Sequence, residues 1–391
     1  ALLLTTGCDL FIKTNKGQVD QKWYMGLTYE DDNGNDTDYT IGTDGTIAAV
    51  ALEDGYGDEF GIIKGEEAYL NINTIIKNID KRFYVDATNN LVMFTDATKT
   101  YKTKIGGKTI NETENTDYVI SFMDGKNCYV NVKFVKKYVD FDYKVVKAEG
   151  KSPARIVLKY TSGEKNQMTV KSNIEMRTKA DYQNLIVTTL KKNTKVTVLE
   201  ESGDWTKVGT DDGFMGYVPA KKLKDKETKK TEFKSDADTY THVLMNKKIS
   251  LGWNAITNLT ANGNLETIIE HTKGLNVISP TWYSLSDNKG NLRSYASATY
   301  VEKAHSKGLK VWALVNDFGT QDKASKEYAK KVLTDTTKRE NLVDNIMTNI
   351  KDYNLDGINI DFEFINKDII NSYLQFLREL SIECRKAGKV L

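Results

Sequence analysis

The stretch Tyr353-Asn-Leu-Asp356-Gly-Ile-Asn359-Ile-Asp361-Phe-Glu363 has the residue types and spacing to do chemistry. Polar and apolar residues alternate along it, as on a β-strand whose two faces differ. Asn359, Asp361 and Glu363 then share one face, and Ile358, Ile360 and Phe362 take the other, where helices can bury them. At the strand rise, Asp361 and Glu363 stand roughly 6 to 7 Å apart at their backbones. Carboxylates stacked this closely push their pKa values apart, so one can stay protonated and act as an acid. Glu363 is the candidate proton donor and Asp361 its helper. Three polar groups on an inward strand face are costly unless paired. A pair of acids at a strand end also occurs in plain solvent, so the specificity lies in the whole string rather than in the pair.

A strand carrying such groups needs neighbours to hold it. From residue 249 onward, apolar strand patterns fall at 249–253, 275–279, 309–315 and 357–361. Helical patterns fall at 265–272, 296–306, 326–353 and 368–387. Gly274, Gly308 and Gly388 stand where helices should stop before the next strand. Strand followed by helix, four times over, predicts a parallel α/β structure. In parallel barrels the reactive groups gather at the C-terminal ends of the strands. Position there makes Trp253, Trp282, Tyr283, Asn316 and Asp317 substrate-binding candidates. Trp282 is the preferred wall for a stacked ring, with a core role left open for each Trp.

The string DGINIDFE resembles the DxxDxDxE signature of glycoside hydrolase family 18, the chitinase-like enzymes, over about residues 240 to 391. Asp356, Asp361 and Glu363 match, while Asn359 replaces the usual second Asp. With Asn359 included, the run is most similar to the peptidoglycan- and spore-cortex-lytic branch. The resemblance implies that Glu363 protonates the glycosidic oxygen and later serves as base toward water. It implies that the substrate's own 2-acetamido oxygen attacks, the substrate-assisted exception among glycosidases. Asp361 would orient that group and stabilise the positive intermediate. Asn359 can hydrogen-bond Asp361 but cannot titrate. Asp356 is out of phase and is read, with Gly357, as structural first. The family needs neither cofactor nor metal. Residues 240–391 reach only the start of a fifth strand at 388–391, so the expectation is the first half of a (β/α)8 TIM barrel, truncated, poorly stable alone and inactive in the 391-residue chain.

Two regions precede it. At a constant offset of 60, Tyr69, Asn71, Lys77, Asp80 and Val85 match Tyr129, Asn131, Lys137, Asp140 and Val145. Each copy reads as strand, short helix, strand. The pattern resembles the copper amine oxidase N-terminal-like repeat, here without any histidine cluster to hold copper. Farther on, Lys195-Val-Thr-Val-Leu199, a Gly203-Asp204 turn, Trp205-Thr-Lys-Val208 and Gly216-Tyr217-Val218 alternate as short strands. This resembles the bacterial SH3-like domain, which implies cell-wall peptide as a partner, although a lone Trp205 reads as core before ligand contact. The residues at 224–235 are charged and without apolar periodicity, which reads as solvated linker.

The chain is therefore read as multidomain: a 1–20 tail, an α+β repeat module at 21–165, a small all-β SH3-like barrel at 166–228, a linker at 229–239 and the catalytic segment at 240–391. Residues 166–228 are expected to fold alone. Fifty-five Lys and Arg against 54 acids give a net charge of +1, which offers no case for nucleic acid as partner. Cys8, Cys128 and Cys384 are odd in number and far apart, so no disulfide framework is implied. Leu2 to Cys8 resembles an export or lipoprotein signal remnant, equally readable as an arbitrary start inside a strand. The function read from all this is cleavage of β-1,4 links in N-acetylglucosamine polymers, peptidoglycan or spore cortex before chitin, by a protein secreted from a bacterium or held at its surface, cell wall or spore. A non-catalytic wall-binding lectin is the alternative, and the intact Glu363 weighs against it.

Overall fold

The computed structural model describes residues 14–40, 45–236, 240–318 and 323–391. The signal-like residues 2–8 lie outside that set. The chain forms two compact units, one joining residues 1–81 to 117–235 and the other joining 82–116 to 236–391. The segment 82–116, placed by sequence in the repeat module, thus belongs with the α/β region.

In the first unit the internal repeat shows as a local dyad. Strands Glu67–Asn71 and Asn127–Asn131 pair antiparallel with Leu70 opposite Val130. Asn71 and Asn131 end their strands and cap the following helical turns, accepting from Asn73 N–H and Lys133 N–H. Beyond the helices the copies diverge. Asp142–Val146 joins the seven-stranded sheet of this unit through Ala154–Lys159, whereas Phe83–Asp86 opens a five-stranded antiparallel meander in the other unit.

The SH3-like region is a second seven-stranded sheet in which Lys195–Ser202 and Trp205–Gly209 pair around Gly203 at φ 58°. Its core of Val170, Met176, Val187, Val196, Val208 and Val218 is completed by Val19, Met25, Leu27 and Ala49 from outside 166–228. Segment 166–228 therefore does not close its own core, contrary to the expectation that it stands alone. The charged run is also not a linker at its start: Leu223–Thr231 is an edge strand paired with Gly163–Val170. Backbone pairing needs no apolar side chains, and a lysine-rich edge discourages further pairing.

In the second unit, strands Leu251–Asn254, Val277–Pro280, Lys310–Asn316 and Gly357–Asp361 run parallel, each beside its predecessor, and Gly357 bridges onward to Val390. Helices Leu265–Glu270, Ala298–Ser306, Lys323–Leu333, Thr336–Asp352 and Ile370–Lys386 lie between and after them. The long helical pattern at 326–353 is two helices, because Asp335 turns its carboxylate onto the N–H groups of Thr337 and Lys338. A hairpin of Tyr283–Leu285 with Leu292–Ser294 escaped the sequence reading, its strands being only three residues long. Gly274, Gly308 and Gly388 all take φ between 64° and 77°, as the helix stops required.

The meander of Phe83–Asp86, Leu91–Thr95, Thr100–Lys104, Thr109–Ile110 and Glu114–Asn115 sits on two of these helices. Tyr84 Oη bonds Ser372 Oγ at 2.9 Å, and Gln375 Nε2 donates to Thr95 Oγ1 at 2.8 Å. Asp86 accepts Thr336 N–H at 2.6 Å, serving the start of the Thr336–Asp352 helix from another part of the chain. Beneath them lies Arg339, fully buried, bonded to Glu379 through two nitrogens (3.1 and 3.2 Å), to Leu333 O and to Thr336 Oγ1. Among the described residues no helix is long and apolar enough to cross a membrane.

Candidate active site

The strand Gly357–Asp361 is the one predicted, residue for residue. Its register against Lys310–Asn316 sets Asn359 beside Leu314 and Asp361 beside Asn316. Paired residues point to the same side of a sheet, so these four share a face. Ile358 and Ile360 turn the other way and join the apolar core under the helices with Ala313 and Val315. Trp253 and Ser279 form another register pair. Asn359 Nδ2 reaches across the intervening strand to Ser279 Oγ, a long bond of 3.4 Å, and among the described residues it does not bond Asp361.

The strand starts under tight constraint. A Cβ at Gly357 would stand 2.7 Å from Val390 O and 2.9 Å from Trp312, so only glycine lets the neighbours approach. Asp356 sits just before the strand. Its carboxylate accepts from Lys310 Nζ (2.7 Å), His305 Nε2 (2.8 Å) and Val311 N–H (2.9 Å), fastening two strands and a helix. Burial raises its pKa, but the Lys310, Val311 and His305 bonds outweigh that, and the group lies below its ordinary 3.8. A depressed folded pKa contributes stability above 3.8 that is lost as pH falls through the folded value. Thermal melts of Asp356→Asn are therefore expected to show a lower Tm at neutral pH and a shallower decline below pH about 4 than the parent. Parallel curves at all pH values would refute this.

Past Asp361 the ladder ends, and Glu363 stands exposed in a segment, 362–366, that is neither strand nor helix. Asp317, fully buried at the end of the neighbouring strand, accepts Glu363 N–H on Oδ1 (2.9 Å) and Phe364 N–H on Oδ2 (3.0 Å). Burial is the largest influence on Asp317 and raises its pKa; the two N–H bonds lower it, and the nearby Glu363 charge raises it further. Asn316 is buried beside Asp361, and among the described residues its Oδ1 has no partner. The arrangement is an exposed acid two residues past a carboxylate that ends the strand, with amide and hydroxyl groups lower on that strand's face. Such a set can deliver a proton and steady a positive charge. Among the described residues no three His, Cys, Asp or Glu gather as a metal site would require.

Residues 256–391 match the family model for glycosyl hydrolases family 18. Residues 172–224 match the bacterial SH3 domain. The chain thus carries a family 18 segment and a bacterial SH3 domain. No curated protein matches it. Among solved structures it is similar to a chitinase from Chromobacterium violaceum, at 16% identity and TM-score 0.31, over 36% of this chain and 43% of that one. A chitinase from Bacteroides thetaiotaomicron gives 21% and 0.29, over 34% and 42%. The spore cortex-lytic enzyme SleL of Bacillus megaterium gives 20% and 0.30, over 36% and 32%. The chain spans less than half the length of each of these relatives.

The aromatic candidates separate. Trp253 is 67% exposed and paired with Ser279, so its ring is open to a ligand. Trp282, preferred by sequence, is 1% exposed, donates Nε1–H to Asn262 Oδ1 and stands edge-on to Tyr300. It is a core residue, with no face free for a sugar. Tyr283 is likewise buried. Sequence reasoning missed Ser279, His305 and Lys310. Of these only Ser279 left a trace, as a lone polar residue at the end of an apolar strand.

Proposed function

We propose that the family 18 segment belongs to a glycosidase that cuts β-1,4 links after N-acetylglucosamine, in peptidoglycan or spore cortex before chitin. The observation that carries this reading is Glu363 standing exposed just past a strand that ends in Asp361, with Asn359 and Ser279 lower on the same face. The four parallel strands and their helices are read as the first half of a (β/α)8 barrel, which places these groups at the strands' C-terminal ends. Glu363 gives its proton to the glycosidic oxygen as the bond to the anomeric carbon breaks. The substrate's 2-acetamido oxygen forms the new bond to that carbon, and Asp361 aligns the acetamido group and offsets the positive charge of the ring so formed. Glu363, now anionic, takes a proton from the water that reopens it. Trp253 is the aromatic best placed to meet a sugar face. Asn359, with no carboxylate to give, supports the fold of this face and leaves Asp361 as the strand's lone inward anion.

A 2-acetamido-sugar thiazoline copies the cyclised intermediate, and it is expected to inhibit the full-length protein competitively and far more tightly than the parent sugar binds. The decisive contrast is a 2-fluoro sugar. If the thiazoline is inert and the fluoro sugar leaves a covalent adduct on a carboxylate, catalysis follows the ordinary two-carboxylate route instead. If neither engages and glycan binds without turnover, the segment is a lectin.

A further inference from the structure

We propose that Asp317 is the positioning residue for the acid, acting on Glu363 through its backbone. This rests on the assignment of Glu363 above and replaces the substrate-binding role that position alone suggested for Asp317. Three observations combine. The sheet ladder stops at Asp361, and among the described residues no strand pairs with 362–366. Into that gap Asp317, with no exposed surface, sends both carboxylate oxygens, one to Glu363 N–H and one to Phe364 N–H. Immediately before the acid, Phe362 stacks on Tyr373 and Phe376, with ring centres 6.1 and 5.8 Å away. The acid's backbone is thereby held by an anion at two N–H groups and by an aromatic stack at the preceding residue, while its side chain is left exposed.

The chemistry of the grip is specific. Two adjacent N–H donors need two acceptors, and a carboxylate supplies both in one rigid plane. An amide supplies only one, and its NH2 would face the second donor. Asp317 is fully buried, so it acts through Glu363, and the two N–H bonds make its hold on that backbone the main route. Displacement of a reacting group by about 1 Å is enough to cost on the order of 10²-fold.

The test compares two substrates on the full-length protein. Natural oligosaccharide needs a proton on its leaving oxygen, whereas a dinitrophenyl glycoside does not. Asp317→Asn is expected to lower kcat on oligosaccharide about 10- to 100-fold with KM changed less than about threefold, and to lower kcat/KM for dinitrophenol release, which reports only the step before Glu363 serves as base, less than about threefold. Equal losses on both substrates would overturn the proposal. Glu363→Gln, assayed alongside, separates the two readings. If it too fails to distinguish the substrates, the acid assignment falls.

Hydrogen exchange on the 391-residue chain reports the Asp317 contact independently of activity. In Asp317→Asn the amides of Glu363 and Phe364 should exchange at least about tenfold faster, with the Gly357–Asp361 ladder unchanged. Unaltered exchange at those two amides would also overturn the proposal. Asp317→Ser, smaller and with one acceptor, serves the same comparison if the Asn variant does not fold.

Discussion

Glu363→Gln is expected to lower kcat on unactivated N-acetylglucosamine oligomers by at least ~10²-fold, about 2.7 kcal/mol of barrier, with little change in fold. The amide keeps the size of the side chain but has no proton to release to a departing alkoxide. Glu363 is exposed and stands outside the strand ladder, so its replacement removes no packing that could mimic a catalytic loss. The Tm of the variant should accordingly lie close to the parent's. Initial rates on oligomers of defined length, measured beside thermal melts, check both halves of this expectation. Near-normal turnover with an unaltered Tm would remove Glu363 from the mechanism.

The second large effect is on stability. Arg339→Ala should cost about 3–5 kcal/mol, because it strands a partner inside the protein instead of deleting a surface contact. Arg339 is 0% exposed and Glu379 is 10% exposed at its side chain, so neither water nor counterions can replace the missing guanidinium. Burial alone would lower the Arg339 pKa, but the Glu379 carboxylate outweighs it and holds the group above its ordinary value. Leu333 O and Thr336 Oγ1 lose their donor as well. For a unit of this size the loss corresponds to a Tm decrease of roughly 6–20 °C. The outer pair Lys102–Glu340 is a built-in control, since both side chains are substantially exposed. Lys102→Ala should cost under about 1 kcal/mol. Similar melting shifts for the two variants would show that burial does not set the energetics here.

How much of this was legible in the residues depends on the range of the interaction that decides each feature. The strand from Gly357 to Asp361 announces itself through alternation over five residues, and the glycines after three helices mark their ends for the same local reason. The strand Leu223–Thr231 was invisible because its pairing lies in the backbone and its side chains are those of a solvated run. Trp282 misled because a buried and an exposed indole look alike in one sequence; what decides is Asn262, twenty residues back, accepting its N–H. Asp317 was seen as a polar residue at a strand end, but its partners are two main-chain groups 46 and 47 residues away, which no side-chain pattern records. The attachment of residues 82–116 to the family 18 segment is the extreme case. Its bonds join residues more than 240 apart, and the adjacent repeat copy argued for the opposite placement.

That attachment has a consequence in time. The hydroxyls of Tyr84 and Ser372 are separated by 288 residues of chain. At a synthesis rate of ~5–20 residues per second, the meander leaves the ribosome about 15 to 60 s before the helix it rests on exists. Phe83, Val92, Met93 and Phe94, all buried in the finished molecule, must spend that interval without their final cover. The first unit faces a related delay, since residues 1–81 and 117–235 are separated by the waiting segment. Birth order and folding order therefore differ in this protein. A chain interrupted before its last helix would carry an orphaned β-meander, the kind of exposed, strand-rich surface that holdase chaperones bind.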